Sequence, residues 1–182
     1  MATSFDQMPL PGSPERKQQS RDAQKVLRLL AHRMREIGFE RTKPSFFIRP
    51  QPWVIEFVHL HKYTFGPCFR THLGIRVRGD DWSSVALNGP TADVAYYEDG
   101  NWARRFEYKP APASIHKCAS DLADYISTDA LSWFDSVRDP HFLLRADDSP
   151  LYRQEKAALS EALRQGLESE TSDATRKVLN VA

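Results

Sequence analysis

The chain has 182 residues and a formal net charge of +1, length enough for one domain whose core needs no disulfide or metal staple. A hydrophobic share of 41% beside 27% charged residues excludes fibrous, collagen-like and wholly disordered classes. No run approaches the ~20 apolar residues of a membrane span, and the N-terminus lacks the apolar stretch of a signal peptide, so the expectation is a cytoplasmic protein without membrane contact.

Residues 1–19 hold prolines, a glycine and scattered polar groups without periodicity, and are expected to form a mobile tail. A single domain is expected over 20–168, followed by a C-terminal tail, 169–182, with helical potential. Within the domain Ser20 or Asp22 can cap a helix in which Ala23, Val26, Leu27, Leu30, Met34 and Ile37 recur at helical spacing, and Gly38 ends it. Its other face carries Arg21, Lys25, Arg28, His32 and Arg35, read as a solvated basic stripe. After a linker, FERTKP, the run SFFIR predicts a short strand, with Pro50 and Pro52 breaking the chain behind it.

The next strand begins at Trp53. In WVIEFVHLHK, Trp53, Ile55, Phe57, His59 and His61 alternate with Val54, Glu56, Val58 and Leu60. The first set is bulkier and is assigned to the helix-facing core. KYTFGP then supplies a hairpin link, and in CFRTHLGIRVR the apolar set Phe69, Thr71, Leu73, Ile75 and Val77 alternates with Arg70, His72, Gly74, Arg76 and Arg78. That basic set is assigned to solvent, and Gly74 within it marks a bulge or the close approach of another group. A short strand is expected near 92–98 and another over 101–108, giving four or five strands. From Ala113 the period becomes helical. Ile115, Cys118, Ala119, Leu122, Ala123 and Ile126 form one stripe, and Leu131, Trp133, Phe134 and Val137 belong to a second piece that Asp139-Pro140 ends. A last helix starts near Pro150, and Val178, Leu179 and Val181 in the polar tail are free to dock on a neighbour. The order of elements predicts an α+β domain, an antiparallel sheet with an N-terminal helix and a C-terminal helical section packed against it.

The helix end IGFERT, the F-I-R strand, VIEFVHLHK, THLGIRV and the later LSWFDSV together resemble the bacterial domain-of-unknown-function family numbered 4304, over roughly residues 24–144. The chain departs from that family's habit of a Gln-Lys-Ser-like run where HLHKYTF stands, and of an Asn where His72 stands. The resemblance implies a small cytosolic bacterial protein and carries no assigned activity, so no functional residue comes with it.

No GxSxG, HExxH, P-loop or strand-to-helix GxGxxG is present, and no cofactor is expected. Cys68 and Cys118 fit neither a secreted disulfide framework nor a zinc pattern and are read as reduced packing residues. His59, His61 and His72 are the candidate metal ligands, neutral imidazoles being good zinc donors, although the face assignment points His72 away from the other two. Asp80-Asp81 reads as solvated turn charge, and Glu56 as the partner of Arg70, Arg76 or Arg105 across the sheet. Residues 1–79 hold 14 Lys+Arg against 6 Asp+Glu, and the remainder 11 against 18, so the two halves either attract one another or present a basic surface. Tyr63, Phe65, Trp82, Tyr96, Tyr97 and Trp102 fall in or beside loops, where aromatics near Arg anchor interfaces. The expected binding residues are therefore Arg70, His72, Arg76, Arg78, Tyr63 and Trp82. The expected role is a non-catalytic module binding another, acidic, protein, of the immunity or inhibitor kind. A histidine-based metal enzyme and a nucleic-acid binder are the alternatives, the sequence pI of 7.8 weighing against the last.

Overall fold

A computed structural model of the chain describes residues 9–64, 66–96, 100–165 and 170–181, with the side chains of Ala95 and Tyr96 outside the description. The expected loop aromatics Phe65 and Tyr97 and the first eight residues of the expected tail therefore lie outside the described residues. Among those described, the architecture is α+β. An N-terminal helix, α1 (Pro14–Glu36), precedes a five-stranded antiparallel sheet in the order β1 (Glu40–Lys43), β2 (Phe46–Pro50), β3 (Val54–Lys62), β4 (Phe69–Val77), β5 (Thr91–Ala92). A two-stranded ribbon, β6 (Val94–Tyr96) with β7 (Trp102–Arg104), leads into the helical section: α2 (Pro112–Tyr125), a π-helical turn (Ile126–Ala130), α3 (Leu131–Ser136), α4 (Pro140–Arg145), α5 (Arg153–Gln165) and α6 (Asp173–Leu179).

The helix α1 starts earlier than its apolar spacing predicts, so residues 14–19 belong to the fold and not to a tail. The reason is local: the Ser13 side chain accepts from the Arg16 N–H, and Pro14 occupies the first turn, where a missing N–H costs nothing. Gly38, at φ +83°, lets the chain reverse at the other end. FERTKP is also no linker, because its Glu40–Lys43 stretch pairs with β2 as the edge strand, with a register irregularity between Arg41 and Lys43. The expected strand over 101–108 is shorter than its alternation suggests. Only Trp102–Arg104 pair with β6, while Phe106 and Tyr108 run into the core as irregular chain. Asp139 does not merely stop a helix; its side chain accepts from the His141 N–H and starts α4.

The main core lies between the helices and one face of the sheet. Val26, Leu30 and Met34 of α1 and Ile115, Cys118 and Leu122 of α2 meet Val54, Val58 and Leu60 of β3 and Phe69, Leu73, Ile75 and Val77 of β4. A second cluster, Ile48, Ile55, Phe57 and Leu179 with Phe46, Val85 and Val181 around it, fills the opposite face. The assignment of Ile55, Phe57, His59 and His61 to the helix-facing side is thus reversed for β3, while Trp53, just before the strand, does pack against the main core. Cross-strand pairs settle the parity: Ile55 stands opposite Arg76, Phe57 opposite Gly74, His59 opposite His72 and His61 opposite Arg70, and paired residues share a face. Gly74 is the predicted close approach, with no bulge in the register. A Cβ there would lie 2.2 Å from Phe57 Cζ, so the Phe57 ring occupies the space that glycine leaves.

The β4 edge beyond β5 is not left open. Asn88 lays its side-chain amide along Ile75, accepting from the Ile75 N–H at 3.0 Å and donating to the Ile75 carbonyl at 2.9 Å. Leu73 exchanges backbone hydrogen bonds with Pro90 and Gly89. The edge is satisfied by side chain and loop, which denies it to a strand of another chain.

Candidate functional site

Among the described residues, the second sheet face divides along the strands into a covered and an uncovered half. Over Ile55, Phe57 and Arg76 lie α6 and the loop after β4. Arg76, expected at solvent, is 2% exposed. Its Nε donates to Thr175 Oγ1 at 2.6 Å, Nη1 to the Ser84 carbonyl at 2.7 Å, and Nη2 to the carbonyls of Trp82 and Asp80, with the Asp80 carboxylate 3.3 Å away. A guanidinium presents five N–H donors in a plane, and here its three nitrogens all find acceptors in the chain itself. Asp80 is correspondingly buried and is no solvated turn charge. Arg76 is therefore structural and leaves the set of binding residues.

Arg78 is half-buried and tied to the same segment, donating from Nε to Thr171 Oγ1 at 3.0 Å. Ser172 donates to the Asp80 carbonyl, Lys43 to the Val178 carbonyl, and Asn180 to the Thr42 carbonyl. These contacts, with Leu179 fully buried beneath them, fasten residues 171–181 across the sheet. The docking expected of Val178, Leu179 and Val181 is thus made within the chain for Leu179 and Val181. Trp82 gives its backbone carbonyl to Arg76 and turns its ring outward, 6.0 Å from the exposed Tyr152 ring.

At the uncovered half the sheet brings together His59, His61, His72, Tyr63 and Arg70. The Phe46 and His59 rings stack at 4.3 Å between centroids, His59 and His72 at 5.8 Å, and His61 stands edge-on to His72 at 6.4 Å and to Tyr63 at 6.0 Å. Arg70 lies over the Tyr63 ring at 5.0 Å and donates from Nε and Nη2 to Asp93, which also accepts from the Tyr63 hydroxyl. Asp93 holds the guanidinium and the phenol in place, and nothing in the sequence marks it, since it stands in a turn between two very short strands. Glu56 is absent from this group. It lies on the main-core face, paired with Arg49 and, at 3.6 Å, with Arg138, because its parity on β3 is opposite to that of the basic set on β4.

The electrostatics of this half set one satisfied cation beside neutral rings: the hydrogen bonds to Asp93 raise Arg70. Burial, then His72 and His61, push His59 down to about 4, and burial followed by Arg70 and His61 lowers His72. At neutral pH both rings are neutral. Their Nδ1 atoms are buried without a hydrogen-bond partner among the described residues. Burial and the charge of Arg16 also lower Lys62 at the same hairpin end, as burial and Arg28 lower Arg41. The Arg16 guanidinium donates to the Thr64 carbonyl, and Arg104 lies 5.7 Å from the Tyr63 ring centre.

Three imidazoles thus do gather, but the 23° angle between the His59 and His72 planes sets the two rings side by side. Among the described residues no group of three His, Cys, Asp or Glu side chains is arranged to hold a metal ion. Cys68 and Cys118 are buried free thiols, Cys68 pushed up to about 11 by burial and Cys118 pushed up further, so neither forms a ready thiolate. No described helix is long and apolar enough to cross a membrane.

No protein-family model, no curated protein and no solved structure matches this chain. The resemblance to the 4304 family accordingly rests on the short motifs alone.

Proposed function

We propose that this protein is a non-catalytic binding module whose partner is another protein with an acidic surface, engaged by the uncovered half of the second sheet face. One observation supports the reading: at the hairpin end Arg70 and Arg104 flank the Tyr63 ring beside the three imidazoles, Asp93 is the carboxylate held among them, and Arg16 and Lys62 add positive charge from the α1 side of the same hairpin end. Burial and the nearby Arg16 charge lower Lys62, and a cluster of cationic groups of this kind gains from an incoming carboxylate, which speeds encounter and fixes orientation. The rings of His59 and His61 are carried on β3, and Tyr63 follows that strand with its hydroxyl held by Asp93, so little ordering entropy opposes contact. Neutralisation of a toxin or host factor, the immunity or inhibitor role, suits a small module that binds and does no chemistry.

The test uses a photo-crosslinking residue in place of His61 in cells of the native host, with and without Arg70→Glu. The expected product is a protein adduct, acidic at its contact surface, that Arg70→Glu and high salt abolish. An adduct made only of nucleic acid, or a protein adduct indifferent to Arg70→Glu, removes the proposal.

A further inference from the structure

A cavity of about 420 Å³ opens on the other side of the β4–β5 edge, between the strand ends and the helical section, lined by Leu73, Thr91, Ala92, Val94, Arg105, Tyr125 and Asp129 among others. Its helical wall is the π-helical turn, where the Leu131 N–H donates to the Ile126 carbonyl five residues back. One extra residue per turn widens the helix and costs hydrogen-bond quality, and such turns concentrate at functional sites. Here it carries Asp129 to the cavity mouth directly after the buried Tyr125.

Arg105 is the cation of this cavity. Its backbone N–H donates to the Asp93 carbonyl at 2.9 Å, which fixes where the side chain begins. Its guanidinium lies over the Tyr125 ring at 4.7 Å and the Phe106 ring at 5.5 Å. Stacking on rings orients the plane and leaves the N–H edge to a partner in that plane. The partner present is poor: Asp129 stands 3.6 Å from Nη2, is largely exposed, and also accepts from the Thr128 hydroxyl at 2.8 Å. A carboxylate that meets a guanidinium in a forked pair comes closer and makes two hydrogen bonds.

We infer that this cavity binds a small carboxylate with an apolar body, the carboxylate on Arg105 in place of Asp129 and the body against Leu73, Ala92, Val94 and Tyr125. The apolar wall distinguishes such a ligand from a bare oxyanion. The site is independent of the sheet-face reading, since its cation, Arg105, and its apolar wall lie outside the histidine group; Asp93, which borders both, meets Arg105 through its backbone carbonyl.

Amide NMR spectra of the full chain, titrated with benzoate and separately with inorganic phosphate, test the assignment. Benzoate is expected to give saturable shifts at Leu73, Ala92, Arg105 and Tyr125, and phosphate to give none there. Arg105→Gln is expected to weaken benzoate about tenfold. Asp129→Asn, at an exposed position that leaves the fold intact, is expected to tighten it several-fold by removing the internal competitor. No saturable benzoate shift, equal response to phosphate, shifts confined to His59, His61 and Arg70, or an Asp129→Asn variant that binds more weakly would each overturn it.

Discussion

The two halves of the second sheet face carry similar side chains and use them in opposite ways. Arg76 and Arg70 lie six residues apart on the same side of β4. The first is sealed under α6 with every nitrogen engaged, and the second, 39% exposed, bridges to one carboxylate at the rim. What separates them is whether a later segment of chain reaches that far. Residues 171–181 cross the strands at Ile55 and Arg76 and stop short of His59 and Arg70, so charge near one end of a strand builds the fold and charge near the other end faces outward. A basic residue on an alternating strand therefore says nothing of its own role until the covering element is known.

The sharpest way to break this contrast is Arg76→Ser. It removes the donor from the buried Asp80 and Thr175 and from the Trp82 and Ser84 carbonyls, and is expected to cost about 3–5 kcal/mol, read from urea melts. Surface placement of Arg76 implies less than ~0.5 kcal/mol, so a small loss would return that residue to solvent and uncover the whole face.

Leu179→Ala comes next. It empties the centre of the small cluster that Ile48, Ile55 and Phe57 form with α6, with an expected loss of about 2–4 kcal/mol. Hydrogen exchange should show the 171–181 amides opening first, while the Met34 and Leu60 amides keep their protection.

The two halves should also answer pH with opposite signs. Glu155 of α5 is buried beside Asp80, and burial raises it from 4.5 to about 7 against the opposing hydrogen bond from the Tyr152 N–H. A carboxyl that holds its proton more tightly in the folded chain contributes stability below pH 4.5 that is lost as pH climbs to about 7. The loss is expected to be about 2–3 kcal/mol, and Glu155→Gln should remove it. His59 in the uncovered half behaves in reverse. Its pKa falls from 6.5 to about 4 on folding, so its contribution is complete above 6.5 and lost as pH drops toward about 4. Being partly open to solvent, it should contribute only about 1–2 kcal/mol, and His59→Gln should flatten that acid limb. Thermal melts across pH 4 to 8 on both variants measure the two limbs separately; a limb that survives its own substitution belongs to another group.

Smallest in stability is Arg70→Glu, whose rim pairing with Asp93 is worth about 1 kcal/mol or less. Its large effect should lie in partner capture, the reverse of the balance expected for Arg76.

Several features were legible in the residues themselves. Helical spacing in α1 and α2 named their buried faces, alternation in β4 named Phe69, Leu73, Ile75 and Val77 as core, KYTFGP marked the reversal between β3 and β4, and Gly74 announced that something would lie close to it. Each is a short-range signal, set by the period of a helix or a strand or by the absence of a Cβ. The tertiary structure decided the rest. In β3 both alternating sets are apolar, so periodicity left its faces undetermined, and only pairing with β4 put His59 and His61 beside Arg70 and His72. Arg76 looks like a solvent residue until Thr175, 99 positions later, arrives over it. Asp93 and Asp129 have no local pattern at all, and the alternation around Arg105 pointed it to Glu56 and not to the cavity, because what gives these residues meaning is the distance to groups on other elements. Periodicity reports which side chains share a face; what covers that face depends on contacts between segments far apart in the chain, and no window along the sequence contains both partners.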